Sequence, residues 1–280
     1  MDQQKKKTAA IQRELAAVIR KEQHLRRAAL RKTPPAWKQQ LEQKVPSKVY
    51  ETLHTAFCKG FSLVFSRGRA VIERSYSRED LEADHQIRDY AFRLTGRRKD
   101  FKQMRKAASQ GSLKNMAVTT AEGVGLGLLG IGLPDIVLFL GTLLKGVYEL
   151  ALSYGFAYDT QFEQLLILKI LAASLSTGDD WDGANAEVDS MLLLQNVAVT
   201  QEEWDSQLEA TASAFAVDML LLKFIQGLPL VGFLGGAANP FYYRRIMKYA
   251  EVKYRKRYLM KSREASDASC PESPAQAGTE

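Results

Sequence analysis

The chain has 280 residues, 46% hydrophobic and 25% charged, with 39 Lys+Arg against 32 Asp+Glu for a net charge of +7. This length can bury a core without staples. The composition excludes a wholly disordered chain, and a mean hydropathy of -0.24 excludes a polytopic transporter.

Helical spacing recurs along the chain, and no stretch alternates with period 2 beside a hairpin turn. Ile11, Leu15, Val18, Leu25 and Ala29 fall near one face of a first helix, which Pro34 and Pro35 end. Pro46 suits the first turn of the next, whose stripe is Val49, Leu53, Phe57, Gly60 and Val64. Ser77 with Asp80 resembles a cap, and Gly96 a stop. Arg97 to Ser112 is basic and amphipathic. Pro134 opens a helix that runs to Tyr154, with Gly155 as its stop. Asp159 is placed to cap a helix whose core, Leu165 to Leu171, is apolar nearly all round. Thr177 to Ala186 reads as a loop, and Met191 to Leu194 as part of a short helix. Thr200 and Glu203 fit a capping box that opens a long helix towards Gln226. Pro240 restarts a helix with Tyr243, Met247, Ala250, Tyr254 and Tyr258 on one face. From Ser262 the Ser/Ala/Pro/Glu-rich tail reads as disordered.

Charge is distributed unevenly. Residues 1–40 carry eleven Lys/Arg against three acids, residues 146–210 twelve acids against Lys169 alone, and residues 244–263 nine Lys/Arg against Glu251. Two arrangements fit: solvated faces that partly pair with each other, or one basic and one acidic face. A basic balance suits nucleic acid or phospholipid. Cys58 and Cys270 are far apart in the chain, which fits a reducing compartment. The N-terminus has no apolar run of the secretory kind.

Catalytic signatures are missing. His24, His54 and His85 stand singly, with no metal-ligand spacing. Gly125, Gly127 and Gly130 match a dinucleotide string, but no strand precedes them, so no cofactor is expected. Glu122 and Asp135 are the polar residues of interest. Asp135 suits a first helical turn, or a group held in an apolar cleft.

Two uncharged or nearly uncharged stretches are unusual: Gly123 to Leu144, with Asp135 its one charge, and Phe224 to Tyr243. Each could be a transmembrane span, a hairpin dipping into a membrane, or a core helix packed closely through its glycines. The second runs directly into a helix where Arg244, Arg245, Lys248, Lys253, Arg255 and Arg257 interleave with tyrosines including Tyr254. Cations beside tyrosines suit a membrane interface, and lipid explains both features where nucleic acid explains one.

At these residues the chain resembles the EcsC protein family. One likeness is GLGLLGIGLPDIVLFL followed by YELALSYGF, with Gly132, Pro134, Tyr154 and Gly155 and then the acidic Asp159. The other is GLPLVGFLGGAANPFYYRRIMKYAEVKYRKRYL, with Pro229, Gly235, Gly236 and Asn239. The resemblance implies an all-helical fold and carries over no catalytic residue. One bacterial namesake is associated with an ABC transporter operon.

The predicted fold is all-α, a multi-helix bundle with two Gly/Pro-interrupted apolar segments. Its expected parts are a basic helical extension (1–44), a helical domain (45–262) and a disordered tail (263–280). The expected function is non-enzymatic: a cytoplasmic, peripherally membrane-associated protein. Asp135, Arg244, Arg245, Lys248, Lys253, Tyr254, Arg255 and Arg257 would meet anionic lipid or a membrane-protein partner, by family analogy an ABC transporter. A soluble nucleic-acid binder and an enzyme with a cleft near Asp135 are the alternatives.

Overall fold

The computed structural model describes residues 2–31, 47–109, 133–194, 197–226 and 238–268. These residues are overwhelmingly helical, with no strand among them, as the all-α reading expects. In chain order the helices are α1 (Asp2–Leu30) and α2 (Ser47–Leu63), which passes through a π-helical turn, Val64–Gly68, into α3 (Arg69–Glu73). Then follow α4 (Arg78–Thr95), α5 (98–109), α6 (Leu133–Ser153), α7 (Gln161–Leu175), α8 (Asp180–Met191), α9 (Gln201–Gln226) and α10 (Ala238–Ala268).

Helix α7 forms the centre because it has no polar face to turn outward. Leu165, Leu166, Ile167, Leu168, Ile170 and Leu171 are all buried, each such side chain contributing roughly 1.5–3 kcal/mol. Helices α8, α9 and α10 pack around it. Helix α6 is the second apolar rod, with α2, α3, α4 and α10 against it. Its stretch Ile136–Ser153 is long and apolar enough to cross a membrane, the one such among the described residues, yet 67% of it is buried within the bundle. Phe139 is 3% exposed, whereas its neighbour Leu138 is 41% exposed. The α6 rod therefore behaves mainly as a core helix.

Several helix ends follow their local chemistry. Ser77 Oγ accepts from the Asp80 N–H at 3.2 Å, and Gly96 closes α4 at φ 62°. At the start of α9 the Thr200 hydroxyl accepts from the Glu203 N–H at 3.1 Å, and the Glu203 carboxylate accepts from the Thr200 N–H at 2.8 Å. Helix α6 stops at Gly155, whose φ of 78° is natural only for glycine.

Three local readings are corrected. Thr160, not Asp159, caps α7, accepting from the Glu163 N–H at 3.1 Å; Asp159 is taken by Arg78, at 2.6 Å and 2.9 Å. The segment read as a loop at Thr177 to Ala186 is helical from Asp180. Asp180 and Asp182 occupy its first turn, where the helix dipole favours acids, and Trp181 is buried beneath. Helix α10 continues to Ala268, beyond the expected end at residue 262, because Ser266 is buried and held by Gln4 of α1 at 2.9 Å. Residues 269–280 lie outside the described residues. Helix α1, read as an extension, lies along α10 and buries Ile11 and Val18 against the bundle.

Two glycines sit where a side chain has no room. A Cβ at Gly155 would lie 2.7 Å from His85 Cδ2, and one at Gly146 would lie 2.9 Å from Tyr243 Cζ. Among the described residues, no atom lies within 4 Å of such a Cβ at Gly141. Gly155→Ala should therefore destabilise the fold by about 1–3 kcal/mol through strain. Gly141→Ala should stabilise it by up to about 1 kcal/mol through helix propensity. Urea unfolding of the two variants checks both signs.

Candidate functional site

Helix α10 is the most charged element, and most of its cations turn inward. Lys253 is 0% exposed. Its ammonium bonds Glu22 of α1 and, at 2.6 Å, Asp189 of α8. Lys256 bonds the second oxygens of the same two carboxylates, at 2.9 Å and 2.8 Å. Two lysines and two carboxylates thus close a ring joining three helices. Arg255 bonds the buried Glu14 of α1, which also receives Arg98 of α5. Arg257 and Tyr254 share Glu163 of α7, at 2.6 Å and 2.8 Å, and Arg257 Nε donates to the Leu192 carbonyl at 2.9 Å. Arg245 bonds Asp218 of α9 and the Leu175 carbonyl, each at 2.7 Å.

These partners set the protonation energetics. Burial opposes ionisation of Glu14, but hydrogen bonds and charge from Arg98 and Arg255 outweigh it and hold the carboxyl below its ordinary 4.5. Burial pushes the Lys253 ammonium down, against the pull of Glu22 and Asp189. For Lys256 burial acts the same way, yet Asp189 and Glu22 win and raise it. Burial, reinforced by Glu163, pushes the Tyr254 phenol well above its ordinary range.

The candidates from sequence therefore separate. Lys253, Tyr254, Arg255 and Arg257 form an internal clasp and do not present themselves to a membrane surface. Arg245 is half-buried in its pair, while Arg244 and Lys248 are exposed. Tyr154 is buried at the end of α6, and among the described residues its hydroxyl meets no hydrogen-bond partner. Glu122, Gly132, Pro229, Gly235 and Gly236 lie outside the described residues, as do the side chains of Pro134, Asp135 and Asn239. So do Gly125, Gly127 and Gly130.

Outward cations lie at both ends of α10, Lys261 and Arg263 at the far end and Arg244 and Lys248 at the start. Phe241, Arg244 and Lys248 are exposed at positions i, i+3 and i+7, one helical face. That face borders a cleft of about 240 Å³ between α1, the end of α7, the start of α8 and α10. His24, Trp181, Arg244, Arg245 and Lys248 line it, and among the described residues no carboxylate does. Across the cleft, α1 contributes a row the sequence reading missed. Arg20, His24, Arg27 and Arg31 are exposed at i, i+4, i+7 and i+11. The signal was present as heptad-spaced Arg13, Arg20 and Arg27 within the basic first forty residues. Arg26, one position off that row, is neutralised by Asp182 at 2.6 Å.

Other clusters offer less. Cys58 Sγ lies 3.7 Å from His54 Nε2, but burial, with Glu209 adding, pushes the thiol up and away from the reactive thiolate. Tyr76, Tyr158 and Glu73 form a hydrogen-bonded chain at 2.6 Å and 3.0 Å, crossed by Arg78 over the Tyr158 ring. Among the described residues no group of three or more His, Cys, Asp or Glu is placed to hold a metal ion.

Comparison with known proteins places this architecture. The model of the EcsC protein family matches residues 9–259, and the chain belongs to that family. The match begins inside α1, so the helix that supplies Glu14, Glu22 and the arginine row falls within it. Neither the curated proteins nor the solved structures contain a match.

Lys253→Ala leaves Glu22 and Asp189 with Lys256 as their shared cation and should destabilise the fold by up to about 3–5 kcal/mol, the ceiling set by breaking a buried pair outright; thermal or urea unfolding reads it. Glu14 has a depressed carboxyl, so its contribution is complete above 4.5 and is lost as pH falls through the lower folded value. Glu14→Gln should therefore flatten the acid limb of stability against pH below about 4.5, measured by urea unfolding at stepped pH.

Proposed function

We propose that this EcsC-family protein is a non-catalytic peripheral protein that settles on an anionic membrane surface through the start of α10. The carrying observation is the face formed by Phe241, 44% exposed, with Arg244 and Lys248. An exposed aromatic ring flanked by cations suits the headgroup boundary, where the ring enters the interface and the cations reach phosphates. The face follows directly on the glycine-rich apolar stretch at residues 227–237, and the α1 arginine row adds charge of the same sign beside it. Each cation near an anionic leaflet contributes about 1 kcal/mol. Sequence alone assigned this role to the whole basic helix; the pairing of Lys253, Lys256, Arg255 and Arg257 narrows it to the first turns of α10.

The same pairing weakens the nucleic-acid alternative. A phosphate-tracking groove along α10 would need those cations outward, and they are committed to carboxylates.

Vesicle flotation tests the proposal. The full chain should float with phosphatidylserine-containing vesicles at low salt and stay behind with pure phosphatidylcholine. Arg244→Glu combined with Lys248→Glu should weaken retention at least about tenfold. Raising ionic strength should weaken it too, since screening shortens the reach of surface charge to about 10 Å at 0.1 M. A chain that ignores anionic vesicles at low salt would sink the reading.

A further inference from the structure

Helix α4 turns an apolar stripe towards water. A helix on the outside of a bundle ordinarily shows solvent its polar face. The inward face of α4 is accounted for: Leu81 and Phe92 pack with the core, and His85 Nδ1 meets the Ser153 carbonyl at 3.1 Å. The opposite face carries Ala83, Ile87, Tyr90 and Leu94, all exposed. Ile87, Tyr90 and Leu94 stand 67%, 64% and 53% exposed. The steps between the four residues are four, three and four. That spacing keeps them on one line, and it is the spacing by which one helix packs along another.

Charge divides the same helix in two. Residues 78–86 carry Glu79, Asp80, Glu82 and Asp84 against Arg78 alone. Residues 87–100 carry Arg88, Arg93, Arg97, Arg98 and Lys99 against Asp89 and Asp100. Some of these charges meet within the chain. Arg78 serves Asp159 and Glu82, Arg88 serves Asp84 at 2.8 Å, Arg93 serves Asp89 at 2.7 Å, and Arg98 serves the buried Glu14. Asp100 accepts from the Thr95 hydroxyl. Exposed pairs one turn apart contribute little, so they do not hold their partners firmly. At the two ends Glu79, Asp80, Arg97 and Lys99 are exposed. Lys7 of α1, 5.9 Å from the centre of the Phe92 ring, adds a cation to the basic end.

This pattern fits a second copy of itself running the other way. A twofold axis midway between Ile87 and Tyr90 sets Ile87 against Tyr90 of the second copy, and Ala83 against Leu94 of the second copy. It also brings the acidic start of one α4 towards the Arg97–Lys99 turn of the other, at both ends, so one patch supplies both halves of the fit. A parallel pair would set like charges together. An anionic membrane would meet the four acids of the first turns and repel them, so the stripe does not suit the surface that the start of α10 suits.

We propose that α4 is a self-association surface, through which two copies of the chain form an antiparallel dimer about Ala83, Ile87, Tyr90 and Leu94, with Asp80 of each facing Arg97 of the other. One helix face makes a small interface, so the dimer is reversible, with a Kd of about 1–100 μM. The proposal does not rest on the membrane reading. Helix α4 meets α10 where Tyr258 donates to Asp89 at 2.8 Å. Tyr258 lies ten residues beyond Lys248, about 15 Å further along the helix.

Sedimentation equilibrium of the full chain without lipid, at concentrations spanning that range, tests it. The chain should pass from monomer to dimer. Ile87→Ser combined with Tyr90→Ser should raise the Kd at least about tenfold. Asp80→Lys and Arg97→Glu should each weaken association, because each sets like charges together. An equimolar mixture of those two variants should associate as strongly as the original chain, since the exchanged charges complement each other across the two copies. A folding defect cannot produce recovery on mixing, and circular dichroism of each variant confirms that the fold is retained. A chain that stays monomeric overturns the proposal. So does a dimer indifferent to the stripe substitutions, or a mixture no stronger than either variant alone. Flotation separates this claim from the membrane reading. A dimer that ignores anionic vesicles leaves the α4 surface standing and sinks the lipid face, whereas a monomer that floats does the reverse. A monomer whose flotation is lost with Ile87→Ser and Tyr90→Ser would assign the stripe to lipid and overturn the dimer.

Discussion

A charged side chain cannot enter a protein interior alone, and helix α10 brings several. Transferring one ion out of water costs several kcal/mol even after relaxation. Lys253, Arg255 and Arg257 are buried all the same, so each must find a carboxylate. Glu14 and Glu22 come from α1, Glu163 from α7, Asp189 from α8 and Asp218 from α9. The positions of those helices relative to α10 are therefore coupled to its register. A shift of α10 by one residue would carry each cation away from its partner. The apolar helices α6 and α7 supply the bulk of the burial, while the ion pairs specify which way the last helix faces. The clasp draws Glu163 and Asp189 from the acidic middle of the chain, and Glu14 and Glu22 from within its basic N-terminal end.

The clasp also shapes what the surface can do. Because the cations in the middle of α10 are buried against carboxylates, its exposed cations lie towards the ends of the helix, Arg244 and Lys248 at the start, with further arginines along the outer face of α1. These surfaces border one cleft, whose walls hold aromatic rings and whose lining, among the described residues, holds no acid. The result is a short cationic face set beside an apolar stretch, in place of the long basic rod that composition alone implies. Membership of the EcsC family places the helices in a known class, and that face adds a surface that the family assignment leaves undescribed.

Much of the fold was legible in short-range pattern. The Thr200–Glu203 box, the Ser77 cap and the Gly155 stop are decided by groups within a few residues, so they read directly. The stripe of Tyr243, Met247, Ala250, Tyr254 and Tyr258 is fully buried, as helical period requires. Period could not reveal that α10 is covered on further sides as well. Lys253 meets Glu22 across 231 positions, and Arg255 meets Glu14 across 241. No local rule distinguishes those cations from Lys248, which has the same composition around it and is exposed. The α1 acids were hidden for the same reason: Glu14 and Glu22 sit within an apolar stripe, where a polar residue reads as a break and serves instead as a counter-ion. The start of α8 was missed because Gly178, Asp179 and Asp180 carry turn chemistry, while the buried Trp181 that anchors the helix is a tertiary contact.

The division of α10 into a buried clasp and an outward start can be read from lysine reactivity. Brief acetylation of the native chain, followed by peptide mass spectrometry, compares Lys248 with Lys253 in one helix and one sample. The account predicts that Lys248 reacts readily, that Lys253 stays protected until the protein unfolds, and that anionic vesicles then protect Lys248 as well. Equal reactivity of the two lysines in the folded chain would contradict it.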